Sequence, residues 1–115
     1  MIELTKSQKK IARELITLGV QRECQSFKDQ IEQFTGSSEW KTGNPQEMYH
    51  KLYELVTTFD KHIARRYNDL GGSRYFDTIL ALFYNEIITP EDIVRFDIDV
   101  QNELLRIRDF WKTNS

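Results

Sequence analysis

The residues best equipped for chemistry cluster between positions 60 and 75, where the chain reads Asp60-Lys61-His62-Ile63-Ala64-Arg65-Arg66-Tyr67-Asn68-Asp69-Leu70-Gly71-Gly72-Ser73-Arg74-Tyr75. Three guanidinium groups, an imidazole and two phenols flank a Gly-Gly-Ser turn. Guanidinium forks match phosphate and carboxylate oxygens two at a time. A serine that opens a helix stands among unpaired backbone N–H groups at the positive end of the helix dipole, which suits an anion. Adjacent glycines let the backbone come close to a ligand. His62, Arg65, Arg66, Gly71, Gly72, Ser73 and Arg74 therefore form the candidate site for a phosphate- or carboxylate-bearing ligand or an acidic partner. The same residues also have a purely structural use. Gly71 can close one helix, Ser73 can cap the next, and the arginines can pair with Asp60, Asp69 or Asp77. The spacing is neither that of a P-loop nor that of a dinucleotide fingerprint.

Other chemistries find less support. His50 and Glu54 stand one helical turn apart, but no His-Glu-x-x-His or cysteine cluster accompanies them, so no metal is expected. Asp97-x-Asp99-x-Gln101 opens like a calcium loop. It lacks the glycine at the sixth place and puts Arg108 where a bidentate glutamate belongs. Cys24 falls within an apolar helical series and reads as an inert core thiol. Ile11–Val20 followed by Gln21–Gln30 resembles a helix-turn-helix in outline, yet its apolar series runs through the supposed turn. No cofactor motif is present.

The elements that must position these residues are helices. Ile16, Val20, Cys24, Phe27, Ile31 and Phe34 recur at steps of three and four. They follow Thr5 or Ser7 as N-cap, and Gly36 is placed to end the helix in a left-handed conformation. Positions 36–44 read as a loop whose Trp40 folds back over a core. Asn44-Pro45-Gln46-Glu47 starts a second helix, with Asn44 as cap and Glu47 reaching back to it. Met48, Leu52, Leu55, Phe59, Ile63 and Tyr67 line one face of that helix. A third, from Ser73, is apolar on nearly every side and should be the most buried. Thr89-Pro90-Glu91-Asp92 opens a short fourth helix. Phe96–Val100 alternates apolar and acidic, read as a break before a last helix capped by Asp97 or Asp99. The expected helices span 6–34, 45–68, 73–86, 90–95 and 99–112.

Composition fits this reading. The 115 residues include only five glycines and two prolines, too few for a turn-rich sandwich or barrel. Seven Phe, five Tyr and two Trp supply large core pieces. The expected fold is all-α: a single-domain four- to five-helix bundle with mostly antiparallel neighbours. No stretch is apolar enough to span a membrane, and the start reads as neither a signal nor a transit peptide. A lone cysteine fits a reducing, cytoplasmic home. A net charge of -2 argues against nucleic acid. The charge is polarised, with +3 over 1–13 and -6 over 77–103, and these poles can pair with each other or steer a partner. Tyr49, Tyr53, Tyr67, Tyr75 and Tyr84, with Trp40 and Trp111, exceed what such a bundle needs in its centre, and tyrosine suits contact surfaces. The leading expectation is a non-enzymatic protein–protein interaction or self-associating module, a homo-oligomer or the binder of a protein partner. A module for an anionic ligand at the Gly-Gly-Ser helix start is the alternative. An enzyme of unrecognised type is third and requires the arginines and His62 in one cleft.

Overall fold

A computed structural model describes residues 2–68 and 74–114. The protein is all-α, with no strand among the described residues. Its helices are α1 (Lys6–Thr35), α2 (Ser38–Thr42), α3 (Pro45–Tyr67), α4 (Tyr75–Tyr84), α5 (Pro90–Ile93) and α6 (Ile98–Thr113). None is long and apolar enough to cross a membrane. The chain forms two compact units. A terminal unit is drawn from Met1–Val20 and Asp69–Ser115, and a hairpin unit from Gln21–Asn68.

The terminal unit is built around α4. Phe76, Ile79, Leu80, Leu82 and Phe83 are all buried there, as the near-continuous apolar sequence requires. α4 packs on α6, through which Val100 and Leu104 are buried, and on α1, which contributes Ala12, Leu15 and Ile16. α1 opens at Thr5, whose Oγ1 accepts from the Gln8 amide at 3.3 Å. α4 stops at Tyr84, before the expected position 86. Glu86 takes a left-handed φ of 62°, and the Ile87 amide turns back to the Leu82 carbonyl at 2.9 Å. That closure normally falls to glycine, so the sequence does not advertise it. At α5, Thr89 and Asp92 form a reciprocal capping box: the Thr89 amide donates to Asp92 Oδ2 at 2.7 Å. Asp97 occupies the N-cap of α6 without capping it by side chain, because its carboxylate accepts from Gln8 instead.

The hairpin unit is the second half of α1, then α2, then α3. Phe27 stacks on Phe59 with ring centroids 4.3 Å apart, and Glu23 meets His62 and Arg66. Residue numbers rise along α1 as they fall along α3, so the two run antiparallel. The connection expected as a loop contains α2. Ser37 caps it by accepting from the Trp40 amide at 3.1 Å, and Trp40 lies edge-on to Phe34 at 5.4 Å. Gly36 does not take the left-handed conformation expected of it, since its amide bonds Glu32 in a continuing turn at 2.9 Å. Gly43 is the glycine the turn requires. A Cβ there would stand 2.4 Å from the Glu39 carbonyl and 3.0 Å from Met48 Cε. Asn44 caps α3 by accepting from the Gln46 and Glu47 amides at 3.0 and 3.1 Å. The expected return bond from the Glu47 side chain to the Asn44 backbone amide does not form, so the cap is one-sided.

Candidate functional site

The described chemistry concentrates in the hairpin unit, on Glu23. This carboxylate lies on the buried side of α1, its side chain only 9% exposed. Its Oε1 receives His62 Nε2 at 2.7 Å and the Arg66 guanidinium at 3.2 Å. Its Oε2 receives the Tyr67 hydroxyl at 2.5 Å. The three donors come from one stretch of α3, at spacings of four and five residues, where one face of a helix presents them together. An ionised carboxylate this buried needs a counter-charge and filled lone pairs, and Arg66 with two further donors supplies both. Burial, and then the bond to Glu23, raise the Tyr67 hydroxyl well above the usual phenol range, so it stays a donor at neutral pH. With Nε2 committed to Glu23, His62 is oriented like the imidazole of a carboxylate–histidine pair. Both carboxylate oxygens are occupied, so Glu23 clamps α1 to α3.

His62 also borders an open trough of about 600 Å³ between α1 and α3 of the same unit. Phe34, Leu55 and Phe59 give it an apolar floor. Gln30, Lys51, Glu54 and Thr58 complete its rim. Lys51 is paired with Glu39 on α2. That bond first, and then the charges of Glu39, Glu47 and Glu54, raise the ammonium above its ordinary range. A second surface lies on α3 itself: Tyr49, Tyr53 and Val56 are 61%, 58% and 45% exposed. At i, i+4 and i+7 they form one apolar row, the tyrosine rings 6.5 Å apart.

The sequence-nominated residues are thus only partly brought together. His62 and Arg66 converge on Glu23, whereas Arg65 on α3 and Arg74 at the start of α4 are exposed. Gly71, Gly72 and Ser73 lie outside the described residues. Among the described residues, the carboxylate paired with Arg66 is Glu23 of α1. Cys24, read as a core thiol, is exposed. The helix is turned so that Glu23 points inward in its place. The clue was available: Ala12, Ile16, Gly19, Glu23 and Phe27 recur at three and four, but a glutamate is not ordinarily counted on an apolar face.

The remaining aromatics have structural uses. Arg13 lies over the Tyr75 ring at 5.9 Å, and Tyr84 is edge-on to Trp111 at 5.4 Å. The acidic stretch meets α1 through Arg95, which pairs with Glu14, and through Asp97, which accepts from Gln8. Among the described residues no three His, Cys, Asp or Glu side chains are grouped as metal ligands. No protein-family model matches this chain, and no curated protein and no solved structure matches it.

Proposed function

We propose that the chain is a non-enzymatic, cytoplasmic interaction module that self-associates through α3. The observation that carries this reading is the row Tyr49, Tyr53 and Val56, large apolar side chains left 45–61% exposed in register on one helix. Isolated exposed apolar residues need no explanation, but an ordered row rich in tyrosine is the composition of a contact surface. A second copy suits it by charge. An antiparallel pairing of two α3 helices centred on Tyr53 sets the exposed Asp60 of one copy beside Gln46 of the other. That position is in the first turn of α3, where the helix dipole favours a carboxylate.

Sedimentation over a dilution series tests the proposal. Wild type should move from dimer to monomer on dilution, and Tyr53→Glu should be monomeric throughout with an unchanged helical circular dichroism spectrum. Asp60→Lys should weaken the dimer less. A monomer at every concentration of wild type overturns the reading. The alternative, an anionic ligand at the Gly-Gly-Ser helix start, ranks second because Arg66 is already engaged by Glu23. Its charge would have to come from Arg65 and Arg74.

A further inference from the structure

The geometry points to the α1–α3 trough of the hairpin unit as a docking groove for a basic amphipathic helix of another protein. The inference rests on reading the chain as an interaction module, but it uses a different surface from the Tyr49–Tyr53–Val56 row. Shape comes first. The α3 wall of the trough runs from Lys51 to His62. At 1.5 Å per residue that is about 16 Å, or three helical turns. Phe34, Leu55 and Phe59 supply its apolar lining between polar ends, and the trough is open on one side. A long open groove suits a helix that lays down apolar anchors at i, i+4 and i+7, whereas a small molecule is usually enclosed on most sides.

Charge then selects the partner. At the α2 end of the groove Glu39, Glu47 and Glu54 gather around Lys51, and Lys51 is already paired with Glu39. Three carboxylates therefore share the one Lys51 ammonium at this end. At the other end His62 is bonded to Glu23. The complementary occupant carries lysine or arginine beside its apolar anchors. The basic stretch of a second copy does not qualify. The apolar side chains among Lys6, Lys9, Lys10 and Arg13 include Leu4 and Ala12, and both are buried in their own unit.

The test uses the full chain and two labelled helical peptides, both with leucine at i, i+4 and i+7. One is flanked by lysines and the other by glutamates, and binding is followed by fluorescence anisotropy. The lysine peptide should bind, more weakly as salt is raised, and the glutamate peptide should not. Glu47→Lys/Glu54→Lys, whose fold is checked by circular dichroism, should weaken the lysine peptide by about tenfold or more and favour the glutamate peptide. Leu55→Asn should weaken the lysine peptide as well. Tyr53→Glu should bind the lysine peptide like wild type, so a failure of self-association leaves this result standing. No binding of the lysine peptide overturns the inference. So does equal binding of the two peptides, indifference to the double charge reversal, or loss of binding in Tyr53→Glu.

Discussion

The two units bury their apolar residues very unequally. Of fifteen buried apolar residues among those described, only Met48 belongs to the hairpin unit. The terminal unit closes around α4 in the ordinary way, with Ile79, Leu82 and Phe83 at most 1% exposed. The hairpin unit has two long antiparallel helix segments and little between them but a phenylalanine stack and a buried glutamate. Two helices alone cannot enclose a core, so their apolar residues stay half exposed along the seam. The unit holds its register by polar geometry and leaves Tyr49, Tyr53 and Val56 exposed. A closed apolar core and a polar clamp thus fall to different stretches of one chain.

The sharpest way to break this comparison is to truncate one phenylalanine in each unit. Phe83→Ala in the terminal unit should cost about 3–5 kcal/mol, the ordinary price of a cavity in a closed core. Phe59→Ala in the hairpin unit should cost about 1–2 kcal/mol, because its ring is only half buried and mainly loses its stack on Phe27. Chemical denaturation of the purified variants measures both. Equal losses would mean that the hairpin unit holds a core of its own, and the division drawn above would fail.

The next effect in size belongs to the Glu23 clamp. Glu23→Ala strands Arg66, whose side chain is 15% exposed, without its anion and should cost about 2–4 kcal/mol. Arg66→Met alone should be similarly harmful by leaving Glu23 uncompensated. Glu23→Met/Arg66→Met should recover much of the loss, because no buried charge remains. Tyr67→Phe should cost about 1 kcal/mol. Alkaline pH sharpens the same point. The Tyr67 hydroxyl is raised in the folded protein, so its contribution is fully present below the ordinary phenol value near 10. It is lost as pH rises toward the higher folded value, since the folded state then holds a proton that the unfolded chain releases. Wild type should therefore lose stability above about pH 10 more steeply than Tyr67→Phe. Parallel curves would show that the hydroxyl is not held by Glu23.

These contrasts also show where the sequence could be read and where it could not. The helices and the burial of α4 follow from apolar spacing and from Asn44-Pro45 and Thr89-Pro90, because backbone propensity and tertiary packing agree there. The clamp was only half legible. His62 and Arg66 stood out by type, but Glu23 lies far away in sequence and sits where a rule of thumb places Cys24. A single turn of the helix by one residue exchanges the two, and only packing against α3 sets that rotation. Arg65 and Arg74 look equivalent to Arg66 on paper. They differ because only Arg66 lies where α3 faces the buried carboxylate. The trough was invisible for the same reason: Phe34, Leu55 and Phe59 resemble core residues by type, yet each is only half-buried along the open groove.

The smallest effect distinguishes the two units by their turns. In the hairpin unit Gly43 supplies room, at a negative φ of -73°. In the terminal unit Glu86 supplies a left-handed residue at φ 62° without being glycine. The two positions should respond in opposite directions. Glu86→Gly relieves about 1–2 kcal/mol of Cβ–carbonyl crowding and returns part of that as unfolded-chain entropy, for a net gain of about 0.5–1 kcal/mol. The ion pair it forfeits with Lys112, 4.0 Å apart between side chains 48% and 80% exposed, is too solvated to reverse that sign. Gly43→Ala, by contrast, lowers unfolded-chain entropy, which on its own favours folding. It must also push a methyl into the Glu39 carbonyl, whose amide partner is Gly43 itself at 2.7 Å, and so should destabilise by more than 1 kcal/mol (a loss of about this size follows from breaking that bond). Thermal melts of the two variants decide the matter. A Glu86→Gly protein no more stable than wild type would mean that the turn after α4 is held by its Ile87–Leu82 bond so firmly that the conformation of residue 86 costs nothing.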